Sequence, residues 1–335
     1  MNPSESQRPI GVRLAGTGLA TPSKLLTNDD LAKIVDTNDQ WIVQRTGIKQ
    51  RYICGPDDSV LSMSVQALKI ALDDAQLKPQ DLDFVFVATI TAEMACPSTA
   101  TRLVDAIGAT PAGGADITAA CSGFVYSMNM ASALIQTGMY KNIAVIGVEA
   151  LSKIVNYQDR RTCILFGDGA GAAIFSATSD TTKGCIFQSM ASDGGGWKDL
   201  YVPRTQADIP PHDTVFSGKF DTLQMNGQEV YKFAVSTLQK TIETALQKTQ
   251  TKPEDLAMIV AHQSNKRILE SASKKLKLDP QKLYINIDRF ANTSAASIPI
   301  ALDELRKQNK IKTGDKVLFV GLGGGLTWAS SLWQL

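Results

Sequence analysis

The chain has 335 residues, of which 44% are apolar and 20% charged, so it reads as a globular protein of two domains or one large two-part unit. Lys plus Arg number 34 against 33 Asp plus Glu, a formal net charge of +1, and no global field points to nucleic acid or an anionic membrane. An odd count of 5 cysteines without a CxxC pair, beside only 2 histidines, argues against a disulfide framework and a metal site and fits a reducing cytoplasm.

In chain order, Met1 to Pro9 is polar and lacks the apolar core of a signal peptide. Ser59 to Ala75 has the pattern of an amphipathic helix, and Lys78-Pro-Gln-Asp-Leu leads from it into an apolar strand. The longest uncharged stretch, Ile117 to Tyr140, carries Ser122, Asn129, Ser132 and Gln136. Those polar groups suit a helix buried in protein better than one facing lipid. A second strand follows at Asn142-Ile-Ala-Val-Ile-Gly147, and a polar connector spans Ser176 to Gly184. From Gly194 to Phe220 the chain is rich in Gly, Pro and Asp and reads as a long loop. The grammar then repeats: a helix over Gly227 to Lys248, a Lys252-Pro-Glu-Asp-Leu turn, an apolar strand, and a last strand at Lys316-Val-Leu-Phe-Val-Gly321. Lys78 and Lys252 lie 174 positions apart, as do Asn142 and Lys316. Two matches at one offset argue for an internal duplication, with halves 1–178 and 179–335. Short Val/Ile-rich runs alternating with helices predict largely parallel sheets covered on both faces.

Three residues stand where chemistry is possible. Cys121 follows an apolar strand and a short turn and opens the uncharged helix. A thiol there faces unpaired backbone N–H groups and the positive end of the helix dipole, which predicts a pKa at or below neutrality. The plainer reading is a small buried core cysteine. Asn292 lies in Asp288-Arg-Phe-Ala-Asn-Thr-Ser-Ala-Ala-Ser, which the 174-residue offset makes the mate of the Cys121 turn; an Asn here is also a ready helix cap. His262 ends the second copy of the apolar strand, the strand end at which open sheets gather ligands, and a structural His is the alternative. The glycine runs at Phe166 to Gly171 and Gly321 to Gly325 match a dinucleotide loop poorly, and no acidic residue follows at ribose spacing. Gly321 to Gly325 instead reads as close backbone approach with an N–H free for an oxyanion.

Six segments in order resemble the thiolase-fold condensing enzymes, and most closely the β-ketoacyl-acyl-carrier-protein synthase III family. They are Trp41-Ile-Val-Gln-Arg-Thr-Gly-Ile, Ala120-Cys-Ser-Gly, Leu165-Phe-Gly-Asp-Gly-Ala-Gly, His262-Gln-Ser-Asn-Lys-Arg, Asn292-Thr-Ser-Ala-Ala-Ser and Gly323-Gly-Gly-Leu-Thr-Trp. The resemblance implies an α/β fold, a five-layered αβαβα core of two duplicated halves, a homodimer, and a catalytic triad of Cys121, His262 and Asn292. It implies N–H groups of Cys121 and Gly324 as oxyanion donors. Trp41, Arg45 and Arg160 match positions that hold the nucleotide of coenzyme A, and Asn226, Gly227 and Asn265 match positions along the pantetheine tunnel. Arg267 matches a basic site for acyl carrier protein. The substrates implied are acyl-coenzyme A and malonyl carrier protein, with no cofactor.

The chain departs from the family pattern at three places. Leu322 replaces a frequent Phe beside the catalytic centre, and Cys96 stands where many members place an aromatic closing the acyl pocket. The Gly194 to Phe220 region is longer and richer in Pro. Cys96 in that place predicts a starter bulkier or longer than acetyl, Leu322 an altered packing contact, and the longer loop a different pocket mouth. A thiolase would need a second catalytic cysteine near the C-terminal glycines, and an elongating synthase a second suitable His; neither is present. The competing readings are a specialised acyltransferase with a non-malonyl acceptor, a Cys–His–Asn thioester hydrolase, and a non-catalytic partner on the same fold.

Overall fold

A computed structural model describes residues 10–335; Met1 to Pro9, expected to be no signal peptide, lies outside the described residues. Nine strands form the two main sheets. The larger sheet contains β1 (Gly11–Ala20), β2 (Phe84–Ala88), β3 (Gly113–Ile117), β4 (Asn142–Glu149) and β5 (Gly169–Thr178), in the spatial order β1-β5-β4-β2-β3. The smaller contains β6 (Gly184–Ser192), β7 (Leu256–Ala261), β8 (Lys316–Gly323) and β9 (Thr327–Gln334), in the order β7-β8-β9-β6. Only the pairs β2–β3, β2–β4 and β7–β8 are parallel; β1–β5, β4–β5, β8–β9 and β9–β6 are antiparallel. The expectation of largely parallel sheets is therefore corrected to mixed sheets. The short turn Gly324 to Leu326 makes β8 and β9 a hairpin, which can only be antiparallel.

The helices that build the layers, in chain order, are α1 (Asp39–Thr46), α2 (Val60–Ala75), α3 (Thr99–Ile107), α4 (Gly123–Gln136), α5 (Gly227–Thr249), α6 (Lys266–Lys275) and α7 (Ser297–Lys307). Helices α2 and α3 bury Ala67, Leu68 and Leu103 against Val85, Val87 and Ile146 on one face of the larger sheet. Helices α5 and α6 bury Leu238, Ile242 and Leu269 against Ile259, Leu318 and Val320 of the smaller sheet. Between the sheets α4 and α7 supply Phe124, Met128, Ile298 and Leu302, packed on Val145 and Phe175 from one side and Phe319 and Trp333 from the other. This central layer explains the uncharged sequence of α4: a helix with a sheet on each side has no face for solvent. The result is an αβαβα stack with its innermost helices opening at the site.

The 174-residue offset reappears in the elements themselves. The turns Pro79–Asp81 and Pro253–Asp255 correspond, as do Ala120–Ser122 and Ser294–Ala296, and strands β4 and β8. Ala120 and Ser294 both adopt left-handed backbone, with φ of 45° and 49°. The loop expected over Gly194 to Phe220 is largely irregular, but Leu200–Tyr201 pairs with Gln224–Met225 as a small ribbon.

Candidate active site

Cys121 sits in a tight turn, Ala120–Ser122, that runs directly into α4. Ser122 holds the turn by donating its hydroxyl to the carbonyl of Ala119 at 2.7 Å. Across the molecule, Ser294–Ala296 makes the equivalent turn into α7. Two glycines let these turns approach the sheets. A Cβ on Gly147 of β4 would come within 2.2 Å of the Ala295 carbonyl oxygen, and one on Gly321 of β8 within 2.8 Å of the Ser122 Cα. Each sheet thus receives the turn of the opposite half. The expected close approach at Gly321 to Gly325 has this cause, and Gly323 packs just as tightly on the Cys121 nitrogen.

Asn292 is pinned from both sides. Its N–H donates to the Leu165 carbonyl and its carbonyl accepts from Gly167, both at 3.0 Å, so the glycine-rich Leu165 to Gly167 segment serves as a brace. The Asn292 side-chain oxygen accepts the Ser294 N–H at 2.8 Å. That bond fixes the amide orientation and leaves its NH2 as the outward donor. His262 follows β7, with its N–H bonded to the Val320 carbonyl. Its Nδ1 lies 2.8 Å from Ser297 Oγ, which also accepts the Gln263 N–H at 3.3 Å. This bond pairs Nδ1 and leaves Nε2 as the free ring nitrogen; with the Ser297 hydroxyl as donor, Nε2 carries the ring proton.

Cys121, His262, Asn292, Leu322 and Gly324 line one narrow cavity, together with Gly227, Tyr231 and Asn265. A second cavity of about 640 Å³ also reaches Cys121 and Gly324 and extends past Ile90, Leu151, Phe166 and Leu223 to Arg204. Cys121 therefore stands at the junction of two spaces. The loop after β6 contributes Leu200 to both and Tyr201, Val202 and Arg204 to the larger.

The outer residues fall into place unevenly. Trp41 on α1 has two cations beside its ring, Arg45 and Arg160, whose guanidinium carbons lie 5.9 and 5.7 Å from its centre. The Asn265 amide donates to the Arg45 carbonyl at 3.2 Å, which ties this cationic stack to the rim of the narrow cavity. Exposed Arg267 lies 6.0 Å from the Tyr231 ring on the same rim. Asn226 does not line the cavity; it caps α5, accepting from the Glu229 N–H, and donates to Asp199. Cys96 is exposed in the segment between β2 and α3 and lines neither cavity of its own chain. Leu322 borders the narrow cavity rather than the large one.

The electrostatics also correct one expectation. Burial pushes the Cys121 thiol up to about 12, although the Ser294 hydroxyl beside it works the other way. The helix N-terminus faces a group so thoroughly desolvated that the neutral thiol wins. Burial likewise pushes His262 down to about 3, so the imidazole is neutral. Sequence reasoning missed three residues here: Ser294, Ser297 and Glu149. Glu149 ends β4 completely buried, pushed up to about 7 by that burial against hydrogen bonds from Thr91, Ile90, Ser294 and Thr89. An acidic residue closing an otherwise apolar strand was the available signal.

With neutral Cys, neutral His donating through Nε2 and an oriented amide, the site can form a thioester and stabilise negative charge on a carbonyl oxygen. Residues 115–194 match the family model for 3-oxoacyl-[acyl-carrier-protein] synthase III, and residues 246–335 match its C-terminal model. A β-ketoacyl-[acyl-carrier-protein] synthase III from Caldanaerobacter subterraneus is 46% identical over 323 residues, covering 96% of this chain and 97% of the relative. The namesake from Clostridium novyi is 46% identical over 325 residues, covering 96% and 98%. Among solved structures, the 3-oxoacyl-[acyl-carrier-protein] synthase III of Aquifex aeolicus superposes with a TM-score of 0.90 at 39% identity, over 97% of this chain and all of that one. The priming β-ketosynthase of the R1128 polyketide pathway gives 0.91 at 28% identity, over 100% and 99%.

Proposed function

The chain belongs to the β-ketoacyl-acyl-carrier-protein synthase III family, and from that premise we propose that it joins an acyl-coenzyme A starter to malonyl carrier protein through an acyl group held on Cys121. The observation that carries this reading is the meeting of two cavities at Cys121, one lined by His262 and Asn292 and the other free to receive an acyl chain.

Cys121 attacks the starter thioester, and the tetrahedral oxyanion is held by N–H groups of Cys121 and Gly324. Among the described residues neither N–H has a backbone acceptor in the turns, which leaves both free for that charge. Coenzyme A departs with its thiol, and the acyl chain lies in the larger cavity. Malonyl carrier protein then enters by the narrow one. His262 Nε2–H and the Asn292 NH2 donate to its thioester carbonyl, carbon dioxide leaves, and the enolate they stabilise attacks the acyl carbon. A neutral His is the right donor for this step, since it gives a hydrogen bond without surrendering its proton. The cationic stack of Arg45 and Arg160 on Trp41 suits the nucleotide phosphates of coenzyme A, and Arg267 suits an acidic carrier. None of these steps calls on a metal or redox cofactor.

The chain divides into halves 1–178 and 179–335 in this reading: strands of the larger sheet come from the first, strands of the smaller from the second. No described helix is long and apolar enough to cross a membrane, which is consistent with cytoplasmic work, and a homodimer is the assembly proposed from family membership. The test is intact-mass analysis after incubation with acetyl- to dodecanoyl-coenzyme A, beside Cys121→Ala, followed by malonyl carrier protein. A Cys121-dependent adduct converted to β-ketoacyl product supports the synthase. An adduct that malonyl carrier protein leaves untouched supports a specialised acyltransferase, and no adduct overturns the assignment.

A further inference from the structure

The acylation step leaves one question that the triad does not answer: where the Cys121 proton goes. The thiol is buried and neutral, and His262, pushed far down by burial, is a poor base. One buried group beside the nucleophile has no part in the mechanism above. Glu149 Oε1 lies 3.1 Å from Ser294 Oγ, and Ser294 lines the same cavity as Cys121, where its hydroxyl works to lower the thiol pKa. Thr91 donates to the other carboxyl oxygen at 2.6 Å and the Ile90 N–H reaches both oxygens at 3.2 Å. These bonds favour an ionised carboxylate in a place where no cation faces it.

We propose that Glu149 is the proton acceptor for Cys121, acting through Ser294 as a one-hydroxyl relay, and that it holds the proton while the acyl group occupies the cysteine. This rests on the acyl-cysteine reading above. In acylation the S–H proton passes to Ser294 Oγ as the Ser294 proton passes to Glu149; sulfur bonds to the acyl carbon, and the bond to coenzyme A sulfur breaks. The coenzyme A thiolate takes a proton from solvent. In condensation the electron pair released with carbon dioxide forms the new carbon–carbon bond, the Cys121 thiolate departs, and the proton returns from Glu149 through Ser294. The cycle consumes one solvent proton per turnover, the requirement of a reaction that turns a carboxylate into neutral carbon dioxide.

The groups that hold Glu149 are Thr89, Ile90 and Thr91 after β2 and Ser294 before α7, none of them charged; the titratable neighbour is Cys121, which feels its charge. Its ionisation therefore sets the pH response of the thiol. Alkylation of Cys121 by iodoacetamide, followed by intact mass from pH 5 to 10, reads the relay without any acyl substrate. The wild type is expected to lose reactivity as pH falls through neutrality, because the carboxyl protonates and can no longer accept. Glu149→Gln should erase that inflection, leaving only the high-pH rise, and should slow single-turnover acylation by about 100-fold, the usual scale of a lost general base. Ser294→Ala keeps the backbone N–H that clamps Asn292 and should reproduce both effects, and the double variant should be no slower than either single one. A pH profile unchanged in Glu149→Gln overturns the proposal. So does a normal profile in Ser294→Ala, which also serves if the Glu149 variant does not fold. A normal relay signature with no acylation by any thioester would sink the synthase reading and leave the relay standing.

Discussion

The reciprocal packing of the two turns can be broken one side at a time. In Gly147→Ala the new Cβ falls 2.2 Å from the Ala295 oxygen and 2.7 Å from its carbonyl carbon, both backbone atoms. In Gly321→Ala the contact is 2.8 Å to Ser122 Cα and 3.2 Å to its side chain. Relief requires the Ser294–Ala296 turn to retreat by roughly 1 Å, and the Cys121 turn by roughly half that, to restore van der Waals separation. Overpacking of this kind costs about 1–3 kcal/mol, and a misplacement near 1 Å in a catalytic constellation costs about 100-fold in rate. Gly147→Ala displaces Asn292 and Ser294, so condensation with malonyl carrier protein should fall by about that factor, and acylation should fall with it through the displaced Ser294 hydroxyl. Gly321→Ala displaces Cys121, so acylation should suffer first and condensation less. Quenched-flow mass spectrometry resolves the two half-reactions, and a thermal melt reports the stability loss. Gly194→Ala, whose Cβ meets nothing within 4 Å, should match the wild type in both. If Gly147→Ala leaves condensation unchanged, or Gly321→Ala impairs condensation more than acylation, the idea that each sheet positions one turn is wrong.

Three further outcomes can be checked. Ser297→Ala removes the Nδ1 partner of His262 and should slow condensation by about 10-fold or more, with acylation nearly unchanged; equal loss in both steps would contradict the tautomer argument. Arg45→Ala should raise KM for acyl-coenzyme A and Arg267→Ala that for the carrier protein, each with kcat preserved and a weaker salt dependence. Burial holds His262 near 3 in the folded chain against 6.5 when exposed. The unfolded state therefore takes a proton first as pH falls, and folding stability should drop by up to about 1.4 kcal/mol per pH unit below pH 6.5. Glu149, shifted upward to about 7, works in the opposite sense: its contribution is full below its unfolded value and is lost as pH rises through 7. The difference in melting temperature between His262→Asn and the wild type isolates the histidine, and a difference independent of pH would refute its buried neutral state.

The fold, and the meeting of Cys121, His262 and Asn292 around one cavity, were legible because each left a local mark. The Lys-Pro-x-Asp-Leu turns announced the duplication, and Cys121, His262 and Asn292 each follow an apolar run or its symmetry mate. What escaped was whatever depends on contacts distant in sequence. Ser294 and Ser297 look like ordinary small residues opening a helix; only the fold brings them to Glu149, Asn292 and His262, up to 145 positions away. The fall predicted for the Cys121 pKa failed for the same reason. A helix N-terminus is visible locally, but the desolvation that overrides it comes from both halves at once. Asn226 matched a tunnel position and turned out to cap α5, a role that its own sequence context, just before Gly227-Gln-Glu, already suited.

The duplication also shows how one scaffold yields two unlike turns. At the 174-residue offset Ala120 corresponds to Ser294, and Cys121 to Ala295: one turn offers a nucleophile where the other offers none, and the second offers a hydroxyl where the first has a methyl. The strands beneath them differ in the complementary way. Glu149 ends β4 and its mate, Gly323, ends β8. The acid reaches the turn that carries the hydroxyl, 3.1 Å away. Its mate can carry no side chain, because a Cβ there would lie 2.8 Å from the Cys121 nitrogen, whose N–H is needed for the oxyanion. An acid at 323 would fill the space where the negative charge develops, and a glycine at 149 would leave the buried thiol without a base. The two halves therefore diverged in pairs across the interface, each strand end fitted to the turn of the opposite half. Restoring the symmetry at Cys121, Ser294, Glu149 or Gly323 should damage the half-reaction that the residue serves.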